Sequence, residues 1–183
     1  EVVYSTGTDP DAAITAGNVI LASTTSATIT GLAANTAYNF WVRSDCGNDG
    51  YSTWCGPLTV RTVLEYVMNA TGSDTLNNAC GFVIYDDGGA NGNYSTDGNS
   101  ILVLNPAPGS VIGISGSCNM EANWDFLKIY EGVGTDGTLL FSSTGTNTIG
   151  PLVSNVGPMT IQFTSDVSVT YSGFELQVSC YSN

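Results

Sequence analysis

Residues 119–132 read NMEANWDFLKIYEG and residues 161–180 read IQFTSDVSVTYSGFELQVSC, and these two stretches decide the fold. In each, Ile, Leu, Phe, Val and Tyr are interleaved with polar residues over runs of four to eight positions. Gly, Asn and Asp bound the runs, which is the signature of a half-buried strand. Outward from them, AYNFWVRS (37–44), CGFVIYDD (80–87), SILVLN (100–105), SVIGIS (110–115) and TLLFSS (138–143) repeat the pattern. No window sustains a 3.6-residue period. Short strands separated by turn signals predict an all-β chain of two antiparallel β-sandwiches in tandem. Glu121, Asp125 and Asp166 stand at the edges of such strands, so the fold should bring three carboxylates to one end of a sandwich.

Composition removes most catalytic options. The 183 residues include no His, three basic residues (Arg43, Arg61 and Lys128) and 16 acidic ones, for a net charge of −13. Imidazole bases, imidazole-activated nucleophiles and His-ligated zinc are therefore unavailable, and no enzyme is expected. With no basic patch to displace counterions from phosphates, nucleic acid is a poor partner. There is no apolar run long enough to span a membrane, and no signal peptide is visible. A start at Glu1 in mid-pattern reads as the mature piece of something longer.

Five cysteines without a CxxC pair point to disulfides in an oxidising compartment, with one thiol left over. Cys46 and Cys55 flank a short Gly-rich loop, CGNDGYSTWC, and are expected to bridge. Cys80 opens the second part of the chain and Cys180 nearly closes it, so they are expected to pair on adjacent terminal strands. Cys118 then remains a buried, unpaired thiol.

Around TVLEYVMNATGSDTLNNAC (62–80) the strand pattern yields to polar sequence, which sets the boundary between domains 1–64 and 65–183. Within the first, GLAANTAYNFWVRSDCGNDGYSTWCGPLTVRT (31–62) resembles the last strands of a fibronectin type III domain. Leu32 precedes the turn, Tyr38 takes the corner position, and Tyr38, Phe40 and Val42 are expected to point inward. The sequence departs from that family because the first two strands and their tryptophan are missing. An incompletely ordered start, a proteolytic cut or strands donated by a neighbouring subunit would each account for the gap, and truncation or an incompletely ordered start is preferred to strand donation. Self-assembly through the incomplete domain follows from the last of these.

The second part carries the more specific match. Residues 67–181 resemble a CUB domain, in particular the secreted form of Bacteroidetes-like bacteria. The YDDGG turn (85–89), the D-x-L-x-I-Y-x-G strand (125–132), the SD-x-S loop (165–168) and the closing GF before the last Cys occur in the family's order. Cys118 departs from it, standing where the family has a larger buried residue, and the second family disulfide is absent. The resemblance implies a calcium site with Glu121, Asp125 and Asp166 as its charged ligands. Oxygens of Val167 and Ser168 would complete it and Tyr94 would support it, at the roughly 0.1–1 mM affinity of extracellular modules. It also implies that a Lys or Arg of a partner could reach the site carboxylates.

Other features are weaker. Trp41 and Trp54 suit core or corner packing, whereas Trp124, between Glu121 and Asp125, is a candidate ligand-stacking residue. Asn69 (NAT) and Asn93 (NYS) fit an N-glycosylation triplet, and Thr75 in DTL fits an O-glycosylation motif. The expected function is a non-catalytic, extracellular adhesion or recognition module for a protein or glycan. The alternative is an accessory domain of an exported protease or polysaccharide-degrading enzyme.

Overall fold

A computed structural model describes residues 1–182, which fall into two compact units divided between Val63 and Leu64. The chain is nearly all β. The first unit contains β1 (Val2–Ser5), α1 (Pro10–Thr15), β2 (Val19–Ile20), β3 (Ala37–Val42) and β4 (Cys55–Arg61). Its strands form a single antiparallel sheet in the order β2-β1-β3-β4.

The helix α1 is short enough to escape a periodicity search, but its start is written locally. Asp9 is extended and its carboxylate accepts the Asp11 N–H at 2.9 Å, while Pro10 sits where a missing N–H costs nothing. The helix buries Ala13 against Val3 and Trp41, neighbours across the β1–β3 ladder. The inward face of β3 is therefore the one carrying Trp41, which is 3% exposed. This corrects the expectation for Tyr38, Phe40 and Val42, which lie on the opposite face. There Val42 is exposed, Tyr38 and Phe40 are half-buried, and they run beside the exposed Val60 and Leu58 of β4.

The expected bridge between Cys46 and Cys55 does not form, and both thiols are free and exposed. The hairpin register explains why. Cys55 lies opposite Val42, whereas Cys46 sits at the tip, its N–H bonded to the Gly50 carbonyl at 2.8 Å. Cys46 lies four residues past the position paired with Cys55, so the two are not cross-strand neighbours and no disulfide joins them.

The second unit is a sandwich of two five-stranded sheets. It comprises β5 (Leu64–Val67), β6 (Thr71–Asn77), β7 (Phe82–Tyr85), β8 (Asn99–Asn105), β9 (Ser110–Asn119), β10 (Phe126–Glu131), β11 (Leu139–Ser143), β12 (Thr146–Val153), β13 (Met159–Thr164) and β14 (Gly173–Ser182). One sheet runs β11-β10-β13-β8-β6 and the other β12-β9-β14-β7-β5. All ladders are antiparallel except β5–β7 and β6–β8, where edge strands join in parallel. Alternation places Met159, Ile161 and Phe163 of one sheet and Phe174, Leu176 and Val178 of the other in a shared core, with Ile112, Ile114 and Leu127.

The stretch 64–77 that reads as a polar break supplies one edge strand of each sheet, β5 and β6. Most β6 side chains face water, so its sequence lacks an apolar face to announce it. Cys80 and Cys180 are joined by a disulfide. Cys118 is buried and unpaired, its thiol near the Ser143 hydroxyl at 3.8 Å, and burial pushes its pKa up.

Candidate metal centre

The three carboxylates come from loops at one end of the sandwich. Glu121 follows β9, Asp125 immediately precedes β10, and Asp166 follows β13. Because β10 pairs with β13 through Phe126↔Thr164, the chain ends carrying Asp125 and Asp166 are held side by side. Each of the three acids offers one oxygen within 4.8 Å of the others.

The cluster is rigidly supported. Asp125 is fully buried; one carboxylate oxygen accepts the Asp166 N–H at 2.9 Å and the other accepts the Tyr94 hydroxyl. The same hydroxyl accepts the Glu121 N–H at 3.0 Å, so Tyr94 supports the backbone of Glu121 and the carboxylate of Asp125 together. The Tyr94 ring is buried edge-on to Phe163, centroids 5.1 Å apart, which fixes where the hydroxyl points. Burial, then the bond to Asp125, raises the Tyr94 pKa and keeps the phenol a donor. Ser168 N–H caps the Asp166 carboxylate at 2.9 Å, an Asx-type turn.

Several residues that the sequence does not mark as functional hold this arrangement. Thr144 donates to the Glu121 carbonyl at 3.0 Å and accepts the Asn123 N–H at 2.6 Å. Ser165 donates to the Ser95 carbonyl at 2.7 Å, and the Asp97 N–H bonds the Asp166 carbonyl at 2.7 Å, tying the Tyr94 loop to the Asp166 loop. Asp87 accepts the Ser95 N–H at 3.1 Å. Asp86, 1% exposed, receives the Gly88 and Phe174 N–H groups at 2.9 and 2.7 Å, and burial raises its pKa. Only the DDGG spacing hinted at this anchor, and only as a turn.

The donor set suits a hard cation. A buried oxygen of Glu121, Oε2, has no hydrogen-bond partner, and an orphaned buried carboxylate oxygen is costly. Among the described residues the sole ion pair is Arg43 with Glu1, so no Lys or Arg neutralises the cluster. Burial, then Asp166 and Asp125, raises the Glu121 pKa, as expected of like charges brought together without a cation. All three ligands are oxygens, as calcium or magnesium prefers, and His and Cys donors are absent from the cluster.

The remaining candidates fall into place with less effect. Val167 is 74% exposed and follows Asp166 in the turn with Ser168; no direct bond joins either to Glu121 or Asp125. Trp124 is 63% exposed beside Asp125. Trp41 is core, and Trp54 is half-buried, its Nε1–H donated to Asp11 at 3.1 Å. Asn69, Thr75 and Asn93 are exposed, although the Asn93 side-chain amide is already donated to the Thr170 carbonyl at 3.1 Å.

No protein-family profile matches the chain, and no curated protein sequence does. Solved structures do. The CUB1-EGF-CUB2 portion of human MASP-1/3 is similar at 18% identity and a TM-score of 0.50, over 59% of this chain and 41% of that one. The equivalent rat MASP-1 portion gives 17% identity and a TM-score of 0.50, over 60% and 43%. The full extracellular region of zebrafish Gpr126/Adgrg6 gives 18% identity and a TM-score of 0.51, over 61% and 15%. This chain thus spans less than half of each. The matched share exceeds what the first unit could supply, and the fold it supports is CUB-like.

Proposed function

We propose that the second unit is a calcium-binding CUB domain, residues 65–183, and that the chain is a non-catalytic recognition or adhesion module of a secreted or cell-surface bacterial protein. The observation that carries this reading is the buried, unpartnered Glu121 Oε2 facing two further carboxylates with no basic side chain beside them. A bound cation would relieve both the repulsion and the orphaned oxygen. Glu121, Asp125 and Asp166 would hold the ion, with Val167 and Ser168 contributing oxygens. Calcium would order the loops and let a Lys or Arg of a protein partner reach the carboxylate rim, with exposed Trp124 available to a protein or glycan ligand. The Cys80–Cys180 disulfide and the extracellular character of a structural neighbour favour an extracellular setting. No described helix is long and apolar enough to cross a membrane.

The first unit, residues 1–64, fits a fibronectin type III domain lacking two strands. The Tyr38 hydroxyl accepts the Ala33 N–H at 3.1 Å, five residues upstream, the bond expected of a tyrosine corner. An accessory role beside the catalytic part of an exported hydrolase is the second reading; it shares the metal site and differs only in neighbouring domains.

Calorimetric titration with calcium, run on the native chain and on Asp166→Ala, tests the proposal. A dissociation constant within about 0.1–1 mM that is lost in the variant supports it. Heat-free titration up to about 5 mM calcium, beyond the weak end of extracellular sites, would remove it.

A further inference from the structure

Across the outer face of the β12-β9-β14-β7 sheet runs a trough of about 530 Å³, within the size range of small-ligand sites. It shares no residue with the carboxylate cluster. Strand register builds it. Thr148, Ser117, Glu175 and Tyr85 are successive cross-strand neighbours, so they form one row perpendicular to four strands. At the usual strand spacing the row is about 14 Å long. Beside it, Asn119 pairs with the buried Gly173.

Gly173 cannot be filled in. It has φ +72°, and a Cβ there would run into the Asp86 carboxylate beneath. Asn119 is held in place, accepting the Thr146 hydroxyl at 2.8 Å and donating to Ser172 at 3.3 Å. The side-chain oxygens of Thr148, Ser117, Glu175 and Tyr85 make no hydrogen bond within the described protein; the first three residues are exposed and Tyr85 is largely buried. Burial, then Glu175 and Glu65, raises the Tyr85 pKa, so its phenol remains a donor.

The chemistry of the lining selects the ligand. Hydroxyls, amides and one carboxylate supply donors and acceptors in both directions, and no Lys or Arg is present. In a chain of net charge −13, an anion would be repelled. We propose that this trough binds an uncharged oligosaccharide, laid across the four strands with its hydroxyls on the Thr148–Ser117–Glu175–Tyr85 row. Such a ligand matches a shallow, pre-ordered polar surface, because each hydroxyl both donates and accepts. The site requires no metal, so it stands or falls apart from the calcium reading.

The test is isothermal titration and NMR shift mapping with neutral hexasaccharides (β-1,4-glucan, β-1,4-xylan, α-mannan). Hexagalacturonate serves as the acidic control, and every titration is run in calcium and in chelator. Ser117→Tyr fills the trough and Glu175→Ala removes an acceptor. Both positions are exposed, so folding is checked by an unchanged melting temperature. The expected result is weak binding of at least one neutral sugar, indifferent to chelator, with affinity reduced about tenfold or more in both variants, or about 1.4 kcal/mol. Three outcomes overturn it: no neutral sugar bound at about 10 mM, equal binding of the acidic control, or binding that vanishes in chelator and survives Ser117→Tyr, which would put the sugar at the metal end.

Discussion

The two units bury their apolar sequence to very different degrees. In the second, two sheets face one another and 19 buried residues form one core, from Met68 to Val178. In the first, a single sheet rests on a two-turn helix, and the buried set is Val3, Ala13 and Trp41. Its other face leaves Val42, Leu58 and Val60 between 46% and 66% exposed. Similar strand sequences should thus give unequal stability, because a sheet is stabilised by what covers it and small units bury too little apolar surface. Calorimetry should therefore resolve two transitions, the lower one belonging to the first unit.

The largest test removes the covalent tie of the second unit. The disulfide spans a sequence separation of 100 residues. Replacing both Cys80 and Cys180 with Ser should cost about 4–5 kcal/mol by loop-entropy reasoning, all of it in the upper transition. A fall in both transitions would show that the units do not unfold independently.

Next comes a matched pair of leucines. Leu127 is fully buried between the sheets and Leu58 is 66% exposed on β4. Leu127→Ala should cost about 3 kcal/mol and Leu58→Ala no more than about 0.5 kcal/mol. If Leu58→Ala, followed by chemical denaturation, proves as costly as Leu127→Ala, the first unit's open face is covered in solution and the contrast between the units collapses.

Calcium should widen the gap. If the site has the proposed affinity, about 10 mM calcium stabilises the second unit by roughly 1.5–2.5 kcal/mol, and the first unit not at all. The upper transition alone should rise, and Asp166→Ala should abolish the rise.

Acidity offers a subtler probe. Asp86 has a pKa raised from the ordinary 3.8, chiefly by burial. The folded state then holds the proton more tightly than the unfolded state. The contribution of Asp86 to stability is fully present below 3.8 and is lost as pH climbs through the window between that value and the raised one. Asp86→Asn should remove this decline from the pH dependence of the upper transition, whatever it does to absolute stability.

How much of this was legible in sequence follows the same division. Where both faces of a strand have a fate, as in DFLKIYE, the alternation reads directly, and the three acids were identified because the strands that frame them were. Edge strands such as Thr71–Asn77 were not, since every residue of that strand except Leu76 is exposed and a strand wet on both faces has no apolar period to display. The inward face of β3 was misassigned because Tyr38-Phe40-Val42 and Trp41 flanked by Asn39 are both plausible faces. A six-residue helix around Ala13 decided between them, and no window detects so short a helix. The Cys46–Cys55 bridge failed for a related reason, that sequence spacing does not reveal which hairpin positions face each other.

That helix supplies a small free-energy change and a visible one. Asp9 accepts the Asp11 N–H, and Asp11 in turn accepts the Trp54 indole, so the cap stands at the edge of the first unit's only core. Asp9→Ala should cost about 1 kcal/mol, the usual worth of a cap. In a domain of this size 1 kcal/mol moves the midpoint by roughly 4–8 °C, more than it would move a larger one. The lower transition should fall by that amount while the upper one stays fixed. An unmoved lower transition would mean that α1 frays before the sheet melts, leaving Trp41 and Val3 to hold the first unit without it.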